Sequence, residues 1–369
     1  MRGCLRCFLP MVFIFLFLIT GGMAYAAEEL PLTADAALLM DFRSGIVLYS
    51  RNATKPLPPA STTKILAGLL SLEMGDTEEA VLIDQYAASM PGTSIHLKAG
   101  QRFTLYDITK GALINSGNDA AAAIAIHMAG SEEQFAALMN YKARTVGCWQ
   151  NRFCNPHGLT QEGHAVSAYD LARITRYALN NKDFRKIVAI KSDRMKELSG
   201  KEVIDLKNTN RLLGQKKGGV EVIGVKTGTT DEAGECLVTA AKSKDQLLIS
   251  VVLGSGDRYA DTLQLLQYGA EKCRHTPLKG KTPLCRIPVK KGTSASVAVG
   301  PARDVSLLVS PQQLAQLEKK TYLQPSLKAP CRKGEPVGRI EILLENNLLF
   351  VTELVTLEDV PRRPFWKII

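Results

Sequence analysis

The stretch "LPPASTTKILAGLL", Leu57 to Leu70, places a serine and, three residues on, a lysine at the mouth of an apolar run: Ile65, Leu66, Ala67, Leu69, Leu70. Pro56, Pro58 and Pro59 forbid helix before the serine, and the run after it is too long for an ordinary strand and stops at Gly75. A buried helix beginning near Ser61 is expected. Residues three apart on a helix share a face, so the Ser61 hydroxyl and the Lys64 amine can meet. An apolar surround disfavours the charged lysine and lowers its pKa. A depressed lysine beside a serine is an activated nucleophile. One S-x-x-K string is expected by chance in a chain of this length, roughly, and Ser61 as a plain N-cap is the bland alternative. Other residues must therefore keep it company.

The first 26 residues have the pattern of a signal peptide: Arg2 and Arg6, an apolar core from Phe8 to Ile19, then Ala24-Tyr25-Ala26 as a cleavage site. Thr20-Gly21-Gly22 interrupts too early for a membrane span. Export to the periplasm or cell envelope is expected. The net charge of +10 falls to +8 without the two arginines. The surplus is scattered as doublets (Lys216-Lys217, Lys290-Lys291, Lys319-Lys320, Arg362-Arg363) with no aromatic interleaving, which argues against nucleic acid and for an anionic envelope or membrane surface. Cys148, Cys154, Cys236, Cys273, Cys285 and Cys331 remain after the signal segment, without C-x-x-C spacing. Export permits disulfides, and Cys148 with Cys154 and Cys273 with Cys285 are the pairs favoured.

Beyond the signal segment, "AALLMDFRSGIVLYSRN" reads as a strand hairpin around Arg43-Ser44-Gly45. Helical punctuation follows: Thr104 with Asp107, Ser131 with Gln134 and Ser167 with Asp170 have capping-box spacing, and Gly130 and Gly147 end helices. Strands return at "EVIGVKT" and in "GECLVTAAKSKDQLLISVVLG", with a polar turn over Lys242 to Asp245, and a helix runs from Asp257 to about Cys273. Strands at both ends of a segment tend to share one sheet, with the central helices as a separate lobe and a cleft between. The fold class is α+β. After Lys279, short alternating runs ("SVAVG", "VSLLVS", "RIEILLENNLLFVTELV") mark a small all-β module. The expected division is a signal peptide at 1–26, a catalytic domain at 27–276, a β-rich domain at 277–361 and a short basic-aromatic tail at 362–369.

Two further strings keep Ser61 company. Ser116-Gly117-Asn118 falls in a loop between helices, and Lys226-Thr227-Gly228 at the end of a strand, separated by 52 and 108 residues between motif edges. Their order and contexts (helix start, interhelix loop, strand end) match the motif trio of penicillin-recognising serine enzymes. With "PASTTK", "NSGNDAA", "NPHGL", "HAVSAYDLA" and "VKTGTTDEAG", the chain resembles the serine D-alanyl-D-alanine carboxypeptidases, the low-molecular-mass penicillin-binding proteins. The resemblance runs from about Leu38 to Gly269 and more loosely through the β module. It implies a β-lactamase/transpeptidase-like domain, an antiparallel sheet with an inserted helical lobe, followed by a small all-β domain.

The resemblance implies the following chemistry. Ser61 would attack the carbonyl between the two terminal D-alanines of a peptidoglycan stem peptide, and Lys64, neutral at that moment, would take its proton. Lys226 would supply the charge that keeps Lys64 deprotonated. Ser116 would relay a proton to the leaving amine, and Asn118 would orient the substrate amide. Lys226 and Thr227 would receive the terminal carboxylate. Backbone N–H groups of Ser61 and of Thr229, beyond Gly228, would form the oxyanion hole. β-Lactams would be covalent ligands, with no metal or cofactor. The tail, with Arg362, Arg363, Phe365, Trp366 and Lys367, would make weak contact with anionic lipid.

Rivals on the same residues are a D,D-endopeptidase and a β-lactamase, although no glutamate marks the class A route to deacylation. A zinc peptidase using His157, His164 and Asp170 is a further class; against it, Asp170 already has capping spacing with Ser167 and no H-E-x-x-H occurs. A non-catalytic envelope binder conflicts with the intact motifs.

Overall fold

The structure, a computed structural model, describes residues 29–244 and 246–364. The expected signal segment and Phe365, Trp366 and Lys367 of the tail lie outside these residues. The hairpin at the start is β1 (Ala36–Asp41) and β2 (Val47–Arg51), joined at Gly45 with φ +78°. A block of helices follows: α1 (Lys64–Met74), α2 (Leu105–Ile114), α3 (Asn118–Ala129), α4 (Glu132–Thr145), α5 (Ala168–Ala178) and α6 (Lys182–Val188). The chain then returns to the sheet as β3 (Val220–Thr230), β4 (Gly234–Ser243) and β5 (Gln246–Ser255), and leaves it as α7 (Arg258–Glu271).

The main sheet has six strands in the order Lys216–Lys217, β3, β4, β5, β1, β2, all antiparallel neighbours. Both faces are covered. Ala36, Leu38 and Met40 of β1 enter the core shared with the helical lobe, whereas Ala37 and Leu39 enter the core beneath α7. That two-sided burial explains why the central strands read as unbroken apolar runs. In the lobe, α1 is apolar on nearly every side and lies at the centre. A side chain at Gly68 would come within 2.8 Å of Leu113, so the close approach of α1 and α2 requires glycine there.

The predicted caps form. Thr104, Ser131 and Ser167 accept from the backbone N–H groups of Asp107, Gln134 and Asp170. Asp107 and Asp170 are occupied elsewhere: Asp107 pairs with Lys110 at 2.8 Å, and Asp170 accepts from Gln150 N and Asn151 Nδ2. A reciprocal capping box occurs instead at Ser310 and Gln313.

The C-terminal module contains β6 (Arg274–Leu278), β7 (Cys285–Lys290), β8 (Ser296–Pro301), β9 (Val305–Val309), β10 (Leu317–Leu323), β11 (Pro336–Leu344) and β12 (Asn347–Thr356). One sheet runs β10-β11-β12-β8-β7 and then Leu327–Lys328, and β6 pairs with β9. The β11–β12 turn is Glu345-Asn346, both with positive φ (+49° and +65°), as a two-residue hairpin of matching twist demands. Val297, Val299, Leu307 and Leu354 share a core with Leu265 and Leu266 of α7, so the module is fastened to the catalytic half.

The favoured disulfides are not formed: Cys148, Cys154, Cys236, Cys273, Cys285 and Cys331 are free thiols. Cys148 is buried against the Asp170 carbonyl at 3.6 Å, whereas Cys154, beyond the Asn151–Arg152 strand, faces the Glu162 carbonyl at 3.7 Å. Cys273 is buried in the core beneath α7, and Cys285 begins β7.

Candidate active site

The regular helix starts at Lys64, not at Ser61, because Ala60–Thr63 forms a 3-10 turn first. Ala60 takes φ +47°, a left-handed conformation that costs an alanine energy and that the surroundings must enforce. Thr62 and Thr63 fold their hydroxyls back onto the carbonyls of Pro59 and Ala60, at 2.6 and 2.8 Å. Two glycines clamp the turn. A Cβ at Gly158 would lie 1.9 Å from the Ala60 carbonyl oxygen, and one at Gly228 would lie 2.8 Å from the Ser61 nitrogen. The third residue of K-T-G is therefore glycine so that β3 can lie against the backbone of the nucleophile. Ser61 caps no helix with its side chain.

Lys64 is wholly buried, with Nζ 2.9 Å from Ser61 Oγ, 2.6 Å from Asn118 Oδ1 and 2.7 Å from the His157 carbonyl oxygen. Its pKa lies well below that of an ordinary lysine. Burial is the main cause and the charge of Lys226 the next, opposed by Asp119. Serine and amine thus meet as the spacing predicted, and Asn118 of the second motif closes on the same nitrogen. Asn118 Nδ2 donates to Pro91 O at 2.7 Å. Ser116, two residues before it, is buried and has φ +68°.

Lys226 is also buried, with Nζ donating to the Thr227 carbonyl at 3.0 Å. Burial, then the charge of Arg258, brings its pKa down to about 7. Thr227 and Thr209 share a hydroxyl hydrogen bond of 2.6 Å. Arg258, the first residue of α7, donates through Nη1 to the Gly228 carbonyl (2.7 Å) and to Thr229 Oγ1 (2.9 Å), and pairs with Glu235 at 3.2 Å. All three motifs therefore converge on one end of the sheet–lobe boundary.

Three contributors had no sequence signal of their own. Arg258 follows Lys226 by no recognised spacing. The His157 carbonyl is a backbone group that any residue would supply. Asp119 is buried and accepts from Ser94 Oγ and from the N–H groups of Ile95, Leu97 and Ala120, stapling the segment before α2 to the start of α3. Its position directly after Asn118 was the only pointer.

The histidines are engaged otherwise than as zinc ligands. His164 accepts from Cys154 N through Nδ1 and meets Thr63 Oγ1 through Nε2 at 3.0 Å, and burial lowers its pKa to about 4. His157 accepts from Leu159 N and faces Glu132. A cavity of about 370 Å³ between Arg43, Arg176, Gln246 and His275 adjoins the module and not this cluster.

Comparison with known proteins agrees with this geometry. Residues 23–257 match the family described as D-alanyl-D-alanine carboxypeptidase, and residues 274–362 match the penicillin-binding protein 5 C-terminal domain. The chain is 33% identical to D-alanyl-D-alanine carboxypeptidase DacF of Bacillus subtilis, over 92% of this chain and 88% of that protein. It is 33% identical to D-alanyl-D-alanine carboxypeptidase DacC of Escherichia coli, over 96% and 91%. The crystal structure of penicillin binding protein 5 from Haemophilus influenzae superposes with a TM-score of 0.70 at 26% identity, covering 91% of this chain and all of that one. The chain belongs to the D-alanyl-D-alanine carboxypeptidase family of serine peptidases, the low-molecular-mass penicillin-binding proteins.

Proposed function

We propose that this protein removes the terminal D-alanine from peptidoglycan stem peptides through an acyl-enzyme on Ser61, limiting cross-linking, and that β-lactams acylate the same serine. The observation that carries this is the desolvated Lys64 amine 2.9 Å from Ser61 Oγ. A neutral amine has two N–H groups and one lone pair. With the N–H groups on Asn118 Oδ1 and the His157 carbonyl, the lone pair faces the serine hydroxyl and can take its proton during attack. The new bond joins Ser61 Oγ to the carbonyl carbon of the penultimate D-alanine. A proton passed through Ser116 to the leaving nitrogen releases free D-alanine, and water then cleaves the ester.

Lys226 and Thr227 receive the substrate carboxylate, which restores the positive charge that burial disfavours on Lys226. Backbone N–H groups of Ser61 and Thr229 stabilise the oxyanion, and Arg258 holds the Gly228–Thr229 end of β3 in register for that task. The test is release of D-alanine from a pentapeptide and from cross-linked muropeptides. Wild type should release D-alanine from the first, and folded Ser61→Ala should release none. Separation of cross-linked muropeptides without D-alanine release would make it an endopeptidase.

We further propose export to the cell envelope, supported by the pattern of residues 1–26. No helix among the described residues is long and apolar enough to cross a membrane. Contact of the basic tail with anionic lipid belongs to the same reading. The backbone of Arg363 donates to the Lys291 carbonyl at 2.9 Å, which holds this basic residue against the β module. Release of the protein from envelope membranes by salt alone supports peripheral contact, and a requirement for detergent contradicts it.

A further inference from the structure

Of the three groups around Lys64 Nζ, two belong to the motif residues Ser61 and Asn118, and the third is the backbone carbonyl of His157 at 2.7 Å. That carbonyl sets the direction of the amine lone pair as much as Asn118 does, so whatever fixes it acts on the base. The imidazole of His157 is folded back onto its own turn. Its Nδ1 accepts the Leu159 N–H at 3.2 Å, which leaves Nε2 as the protonated nitrogen, 3.2 Å from Glu132 Oε1 and 3.3 Å from Oε2. Glu132 is the first residue of α4, a 14-residue helix capped by Ser131. The same turn is closed from the other side by Asn155, whose Oδ1 accepts Gly158 N at 2.7 Å and whose Nδ2 donates to Leu159 O at 3.0 Å. Gly158, in turn, packs on the carbonyl of Ala60.

We propose that Glu132 and His157 form a positioning pair for Lys64: the start of α4 holds the imidazole, the imidazole holds its own backbone turn, and the turn's carbonyl aims the amine at Ser61. Neither residue touches the reacting atoms. The inference rests on Lys64 being the base that activates Ser61. It explains why a loop histidine with only 5% of its side chain exposed is coupled to a carboxylate at the start of a helix when its ring takes no part in the chemistry. The ring works in the neutral state, because a proton on Nδ1 would confront the Leu159 N–H. Burial keeps the imidazole pKa below its ordinary value, against the pull of Glu132.

The experiment uses the full mature chain and benzylpenicillin, with the non-covalent dissociation constant and the acylation rate constant measured separately and thermal melting recorded in parallel. His157→Ala and Glu132→Ala should each lower the acylation constant by about 10- to 100-fold, the scale of a misplaced catalytic group, while the dissociation constant stays within about twofold. Because both act through one device, the double variant should be no slower than the slower single one. Glu132→Gln, which keeps an acceptor for Nε2–H, should recover most of the rate. Folded alanine variants that acylate at the wild-type rate, losses that multiply in the double variant, or losses confined to the dissociation constant would each overturn the proposal. If Lys64→Ala still acylated normally, the assignment of the base itself would fail, an outcome distinct from these.

Discussion

The catalytic half and the C-terminal module differ in what they bury. Among the described residues, the module's buried polar side chains are hydroxyls: Ser310, Thr352 and Thr356. The catalytic half buries Lys64, Lys226, Asp119 and Asn118 within one neighbourhood and holds Ala60 and Ser116 at positive φ. A buried charge and a left-handed alanine each cost stability, and a fold tolerates them only where the surroundings over-determine the geometry. The module keeps its lysines in solvent and its core apolar, so its sequence needs only pattern and turns. The catalytic half concentrates its costs around Ser61, where desolvation gives Lys64 its usefulness as a base.

Lys226→Gln removes the charge that helps keep Lys64 neutral and that receives the substrate carboxylate, so acylation should fall by about 100- to 1000-fold, as on losing a preorganised electrostatic group. Acylation kinetics with benzylpenicillin measure it, and an unchanged rate would remove Lys226 from the site. Gly228→Ala adds a single carbon, but that Cβ, 2.8 Å from the Ser61 nitrogen, forces β3 away from the nucleophile. It should slow acylation by about 10- to 100-fold and cost about 1–3 kcal/mol of stability, with the folded variant still acylated only at Ser61.

A smaller effect is the pH dependence of kcat/KM. Lys64 must be neutral, so activity rises as pH climbs through its depressed pKa. Lys226 must be charged, so activity declines as pH passes about 7 in the free enzyme. The kcat/KM profile should be a bell, and the alkaline limb should be weaker in kcat, read at saturating substrate, whose carboxylate holds the proton on Lys226. An alkaline limb unaffected by substrate saturation would contradict that role. At the far end stands Leu354→Ala in the module core. It should cost about 2–5 kcal/mol of stability, read by denaturant unfolding, and leave the acylation rate of the folded protein unchanged.

Legibility in the sequence followed the same division. The hairpins, the caps at Thr104, Ser131 and Ser167 and the strands of the module are local: a few neighbouring residues decide them, and the structure has them where they were expected. Ser61, Lys64 and Asn118 were legible because the chemistry demands those side chains, and the structure brings them into contact. The 3-10 turn at Ala60–Thr63 was not legible, since it is imposed by Gly158 and Gly228 from distant segments. Arg258 and the His157 carbonyl were missed for a related reason: both act through contacts made when the chain closes, and a carbonyl carries no residue-specific signal. The cysteine pairings failed because closeness in sequence says nothing of where a thiol faces once a strand intervenes.

Every step above depends on Ser61 being a nucleophile primed by a desolvated Lys64. The most direct test is intact-protein mass spectrometry of the mature chain after exposure to benzylpenicillin, with peptide mapping of the product. One covalent adduct per chain, on the peptide that contains Ser61 and lost in Ser61→Ala, is the predicted result. No adduct, or an adduct that survives Ser61→Ala, would contradict the claim.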